Sequence, residues 1–470
     1  MNRSRRVLAS LLATTCLVAG VGTASAQVDP ASPGSAGAGD PYFPDYGNGG
    51  YDVIHYRVHD RIGFNRGRLT GRTTVRATAT QALSRFNLDM MLKVRSVTVD
   101  GEQATFRKPN RHELQVTPAD PIAEGEVFEV RVKYAGTPKN REWNGEDVWL
   151  GNRREVVAMG EPQIAAWWFA ANDHPSDKAT FDISINVAKK KKVIANGELQ
   201  EVRKGKERNT WHWRAAEPMA PYLAFFGAGS FALDRGRTAT GLPYAYAVSR
   251  QLRKKQRTKA FRFLQTTPKV LAFLEEWLGD YPFSTTGGLV TGLDVNFALE
   301  NQTRPTYPYT GGAGSSWLVA HELAHQWFGD KVAVQNWRDI WLNEGLATYF
   351  ETLWADNYGW STPQKWLLSE WGSYPRTFWK LKIGDPGGNR MFDYPVYQRG
   401  GMAVQALRQR IGDTDFKALL RAWVTDREHG SVEDFIALAE ETSGEDLEGF
   451  FDAWLFSSTR PARTVANGLS

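Results

Sequence analysis

A chain of 470 residues that is 42% hydrophobic and 12% aromatic can bury a large core, and its length suits two or three domains, which excludes a low-complexity or disordered protein. The formal charge of +5 drops to +2 once the three arginines of residues 1–26 are set aside, so there is no case for a nucleic-acid binder. The only cysteine, Cys16, lies in the same N-terminal stretch, which leaves the rest of the chain without disulfides or thiolate metal ligands.

In chain order, MNRSRRVLASLLATTCLVAGVGTASAQ reads as an export signal over residues 1–26, with basic residues, an apolar stretch from Val7 to Val21, and a cut expected after Ala26. Ser4-Arg5-Arg6 leaves the Sec and twin-arginine routes both open. No second apolar stretch is long enough to span a bilayer, so a secreted or extracytoplasmic protein with no integral membrane segment after signal removal is expected. Residues 27–47, rich in Pro, Gly and Ser, predict a flexible leader.

Short alternating segments follow, among them YDVIHYRV, LTGRTTVRATAT, FEVRVKYAG, TFDISINVA and NTWHWRAA, with an apolar run from Tyr222 to Phe226. They predict an N-terminal β domain over 48–234. Within it, the run Lys189–Lys192 reads as a solvated turn, and His112, in an isolated HEL with no second His four residues on, reads as surface. From 235 to 459 the period turns helical, at residues 253–278, 315–328, 340–357, 400–411, 415–426 and 432–455. Residues 460–470, including Arg460 and Arg463, read as a solvated C-terminal tail.

HELAHQWFGD, residues 321–330, carries the chemistry. On one helix His321 and His325 lie one above the other, so both imidazoles can reach a single ion, with Glu322 beside them. Ser315 or Ser316 can cap this helix and Gly329 can stop it. Trp317, His321, Ala324, His325 and Phe328 then share a buried face. A catalytic zinc keeps three protein ligands and one open position, and without cysteine the third ligand must be a carboxylate on a neighbouring element. Glu344, in WLNEGLATYFETLWADNYG, is the candidate: eighteen residues separate it from His325, Asp339 can cap its helix and Gly359 can end it.

These motifs resemble the aminopeptidase N family of gluzincin zinc metallopeptidases. PYFPDYGNGGYDVIHYRV, NDHPSDKATFDI, EPMAPYLAFFGAGSF, LGDYPF, FALENQTRP and VYQRGGMAV occur in the family's order, across roughly residues 40–460. The resemblance implies an α+β multidomain fold, with an antiparallel β domain followed by a thermolysin-like, mainly helical zinc domain and the active site in the cleft between them. It implies one Zn²⁺ per chain on His321, His325 and Glu344, Glu322 as general base, and Tyr397 as oxyanion donor, with Tyr394 as the alternative. It further implies Glu300 as anchor for the substrate's α-amine, although Phe297 stands where the family has glycine.

The family's Gln-x-Glu pair corresponds to Glu161-Pro162-Gln163 with its ends exchanged, so Glu161 and Gln163 are both candidates for the amine pocket. Asp173, His174 and Pro175 fall in a motif expected to pack between domains. The expected activity is removal of N-terminal residues from peptides with a free N-terminus. A zinc peptidase of broader or internal specificity and a non-catalytic peptide-binding protein are the alternatives. A cleft more open than that of longer family members is also expected, because the chain stops soon after the catalytic domain.

Overall fold

Apolar residues on one side of the pleat place Tyr51, Val53, Tyr56, Val58 and Ile62 on the buried face of strand Tyr51–Gly63, where a bulge between Val53 and His55 shifts the alternation by one. In the computed structural model, which describes residues 30–143, 149–311 and 315–469, this strand runs within an eight-stranded sheet. The order is Glu198–Lys204, Arg208–Met219, Ala179–Ala188, Tyr51–Gly63, Arg68–Ala79, Val127–Gly136, Lys93–Val99 and Glu102–Gln103. Every pairing is antiparallel except Ala179–Ala188 with Tyr51–Gly63. Two four-stranded sheets complete the β domain. The export signal expected at residues 1–26 lies outside the described residues.

The strand Phe231–Arg237, assigned from sequence to the β domain, instead forms a hairpin with Pro243–Ser249 and opens the sheet of the following domain. Pro243–Ser249 then pairs in parallel with Thr286–Val290, and the crossover that a parallel pair requires is made by α1 (Lys254–Leu264) and α2 (Thr267–Leu278). The sequence reads as one helix over 253–278. Pro268 cannot donate a main-chain hydrogen bond, and it sits in the first turn of a new helix. The run from Tyr222 to Phe226 is a 3-10 turn at Pro221–Leu223 that enters a strand only at Phe226.

The remaining helices are α3 (Ser316–Ala324), α4 (Trp341–Asp356), α5 (Pro363–Ser373), α6 (Tyr394–Thr425), α7 (Val432–Ser443) and α8 (Glu448–Phe451). α6 joins the expected segments 400–411 and 415–426 across a kink at Gly412, and Gly444 in the left-handed conformation ends α7 well short of 455. Asp339 does not cap α4. Its carboxylate accepts from the main-chain N of Asn336 (3.0 Å) and of Val432 (3.1 Å), closing its own 3-10 turn and tying down the start of α7. Among the described residues, no helix is long and apolar enough to cross a membrane.

Three stretches expected at the surface are packed. Residues 31–47 are not a loose leader: Ser32–Pro33 pairs with Leu83–Asp89, Tyr46 stacks on Phe43, and the buried Asp40 accepts from Trp337 N (2.7 Å). The C-terminal tail is held by Trp454 Nε1 donating to Asn467 O (3.1 Å), with Leu469 buried and Arg460 lying over Trp371 and donating to Tyr374 O (2.7 Å). His112 is buried rather than exposed, stacked on Trp143 with ring centroids 3.7 Å apart.

Candidate metal centre and active-site cleft

α3 supplies His321 and Glu322, and His325 follows its last residue with the backbone still helical (φ −57°, ψ −24°). Each imidazole is oriented through Nδ1. That of His325 donates to Phe328 O (3.1 Å), and that of His321 meets Glu351 Oε1 at 2.7 Å. The two Nε2 atoms are thereby turned toward each other, 3.1 Å apart. Glu344, in the first turn of α4, brings Oε2 to 3.4 Å from His321 Nε2 and 3.5 Å from His325 Nε2.

These spacings match the ~3.4 Å edge of a tetrahedron built on ligand bonds of ~2.1 Å. All three residues are buried, and Glu344 Oε2 has no hydrogen-bond partner among the described residues. A buried acceptor without a donor beside two convergent nitrogen lone pairs fits a cation, and a donor set of two imidazoles and a carboxylate suits Zn²⁺. Trp317, expected on the buried face with the histidines, is instead 43% exposed at the cleft.

The cleft beside this centre is a cavity of about 710 Å³ whose wall includes Glu161, Glu300, Glu322, Glu351 and Tyr397, with Leu150, Met159, Phe297 and Phe392 among its apolar members. Burial pushes the Glu322 carboxyl up to about 8, the two imidazoles pulling it down and Glu300 and Glu344 adding to the rise. A dication on the three ligands would lower it. Burial, with the surrounding acids, also raises the Tyr397 phenol well above its ordinary value, so it remains a proton donor at neutral pH. Its ring lies 6.2 Å from that of His321. Tyr394 is 58% exposed, and its hydroxyl is bonded to that of Tyr374, so it is not in the wall.

Glu300 is buried. Burial raises its pKa, and Tyr222 Oη donates to its Oε1 at 3.4 Å. Of the exchanged pair, Glu161 lines the cavity, whereas Gln163 is fully buried and does not. The His174 ring meets Ser176 Oγ (2.7 Å) and Asp40 Oδ2 (3.4 Å), both in the N-terminal half of the chain, so these contacts do not reach across the domain junction.

Sequence reasoning missed Glu351, Tyr222 and Gln326. Glu351 lies seven residues after Glu344 on α4, two turns along the same face, a spacing that could have found it. Gln326 joins the metal helix to the Glu300 segment: its Nε2 donates to Glu300 O and its Oε1 accepts from Thr303 N, both at 2.7 Å.

The profile of the Peptidase M1 N-terminal domain matches residues 53–223, and that of the Peptidase family M1 domain matches residues 288–454, which contain both histidines and Glu344. The chain belongs to the M1 peptidase family. Among M1 relatives, aminopeptidase N of Lactococcus lactis subsp. lactis is 25% identical over 77% of this chain and 46% of its own length. Aminopeptidase M1-A of Oryza sativa subsp. japonica is 26% identical over 73% of this chain and 42% of its own. The chain thus spans less than half the length of these relatives. A variant M1 zinc metallopeptidase from Deinococcus radiodurans, solved with a bound Tyr-Ser-Ala substrate, superposes with a TM-score of 0.80 at 26% identity, covering 91% of this chain and 100% of that one.

Proposed function

We propose that the chain is a zinc-dependent aminopeptidase that removes N-terminal residues from peptides, and that the N-terminal signal exports it to act outside the cytoplasm. The observation that carries this reading is a single cavity in which His321, His325 and Glu344 converge at 3.1–3.5 Å beside the acidic side chains of Glu300 and Glu161. One zinc at this centre, when bound, supplies Lewis-acid polarisation of the scissile carbonyl and acidifies water.

The residues of the chain supply the rest. Glu322, on the same helical turn as the ligands, accepts the proton of the attacking water and passes it to the leaving amine. Tyr397 donates to the oxygen on which negative charge develops. Glu300, braced by Tyr222, offers a negative charge to the substrate's α-ammonium, with Glu161 on the same wall. Phe297, 43% exposed at the cleft, narrows the edge along which substrate backbone would lie.

The test is hydrolysis of aminoacyl amides and their N-acetylated counterparts by the chain lacking residues 1–26, before and after chelation and after zinc return. Zinc-dependent cleavage of the free-amine series alone is the expected result. Cleavage of the blocked series would favour the broader peptidase reading, and no zinc-restored cleavage of either would favour a binding protein. N-terminal sequencing of the protein recovered outside the cells, expected to begin at Gln27, tests export.

A further inference from the structure

A second set of metal-ligating side chains is buried in the β domain, away from the cleft. Asp89 ends the strand Leu83–Asp89, Glu113 opens its neighbour Glu113–Thr117, and the two are direct cross-strand partners in an antiparallel pair. Carboxylates placed opposite one another on adjacent strands repel, and here Asp89 is 0% and Glu113 3% exposed, so charging both without a cation is costly, and burial pushes the Glu113 carboxyl up to about 8. His112, next to Glu113, is also buried, and its Nε2 lies 3.8 Å from Glu113 Oε2. One donor atom from each of the three residues lies within 4.8 Å of the other two.

The hydrogen bonding around this cluster reaches some of its polar atoms and not others, with the main chain of Gly47 also bonded to the Asp89 carboxyl. Asp89 Oδ2 accepts from Asn48 Nδ2 (3.1 Å) and Asp173 N (3.0 Å), and the main chain of Asp45 hydrogen-bonds the His112 ring. Asp89 Oδ1, Glu113 Oε1 and His112 Nε2 have no partner among the described residues. The nearby cation Lys108 does not neutralise the pair, its Nζ donating instead to the carbonyls of Met90, Leu92 and Arg111. An imidazole held from its far side, with Nε2 turned toward two opposed carboxylates, is the arrangement that holds a metal-ligating histidine in place.

We propose that Asp89, His112 and Glu113 bind a structural divalent cation of the transition-metal class, with zinc the first choice for one nitrogen and two oxygen donors. The cation neutralises the opposed carboxylates and ties strand Leu83–Asp89 to Glu113–Thr117. It does so where Asn48 and the Asp173 main chain are also attached. The site is separate from the cleft, and its cation is counted in addition to the one zinc of the proposed peptidase centre.

The test is metal content of the chain lacking residues 1–26, purified without chelator, incubated with Zn²⁺ and separately with Mn²⁺, desalted, and measured by plasma mass spectrometry. Two equivalents per chain are expected for the unmutated protein, and one for His112→Ala and for Glu113→Gln, with amide hydrolysis unchanged in both. One equivalent in the unmutated protein that both variants retain overturns the proposal, as do two equivalents in both variants, whereas one equivalent that both variants lose supports this site and overturns the zinc of the peptidase centre. Should the variants fail to fold, anomalous diffraction at the metal edge from crystals of the unmutated protein decides. A peak between the three side chains supports the site, and a peak at His321, His325 and Glu344 without one at Asp89 overturns it.

Discussion

Glu322 and Glu300 face the same cavity, and the surroundings of each determine what its carboxyl can do. Glu322 directly follows His321 and lies outside the triangle of His321, His325 and Glu344, so Glu322→Gln keeps the shape of the centre and removes only the proposed base. We expect kcat to fall on the order of 10²–10⁴-fold with zinc content unchanged, read by steady-state kinetics and metal analysis of the same preparation. Retained turnover would place the base elsewhere. Glu300→Gln preserves an acceptor for Tyr222 while deleting the charge. A charge-assisted hydrogen bond contributes about 1.5–3 kcal/mol, so KM for free-amine substrates should rise roughly ten- to hundredfold, with kcat changing less. An unchanged KM would shift the amine anchor to Glu161. Glu351 touches His321 Nδ1 and acts on the metal only through that ring. Glu351→Ala should weaken zinc retention about 10–100-fold, measured by competition with a chromogenic chelator.

Glu344 and Tyr397 come from different helices, and a glycine pair sets the distance between them. A Cβ on Gly400 would meet Gly345 Cα at 2.7 Å, and one on Gly345 would meet Gly400 Cα at 2.9 Å, so α4 and α6 touch backbone to backbone one residue from Glu344 and three from Tyr397. Main chain cannot rotate aside as a side chain can. Gly400→Ala should therefore cost about 1–3 kcal/mol, lowering the thermal midpoint, and should reduce kcat by moving Tyr397 relative to the metal ligands. A stable variant with full activity would show that the helices have slack there. The same contrast between local and distant partners explains what was legible in the sequence. His321, His325 and Glu322 follow from the period of one helix, and Glu344 from the next helix along. His112 was misread because its stacking partner Trp143 and Met90, whose main-chain N donates to the His112 carbonyl, are remote in sequence, and no local period marks them. Asp339 looked like a cap for α4 because its true partner, Val432 N, is 93 residues away.

On the scale of the whole molecule, the β domain helps hold the segment that carries Glu300 in place. Asn196 Nδ2 donates to Gln302 O (2.9 Å), Gly197 N donates to Thr303 Oγ1 (2.8 Å), and the buried Arg304 donates to Gly197 O (2.7 Å), all within four residues of Glu300. The leader was read as loose because it is rich in Pro, Gly and Ser, and the tail as solvated because it is terminal, whereas Asp40 is held by Trp337, 297 residues away, and Asn467 by Trp454. The junction itself turns on Glu155, a fully buried carboxylate on the β-domain strand Glu155–Ala158. It accepts from Ser249 Oγ, Gln251 Nε2 (2.9 Å), Thr291 Oγ1 (2.6 Å) and Gly292 N (3.1 Å), all on the catalytic side. Glu155→Ala strands four donors, of which Ser249 Oγ and Thr291 Oγ1 are buried, and each buried orphan costs about 1–3 kcal/mol, so a loss of about 2–6 kcal/mol is expected. Because the lost bonds join the two domains, unfolding in urea should separate into two steps, activity disappearing at lower denaturant than the overall tryptophan signal. Glu155→Gln, which retains one acceptor oxygen, should fall between the two. A single transition in Glu155→Ala with an unshifted midpoint would mean that the domains are coupled through the Asn196 to Arg304 contacts instead.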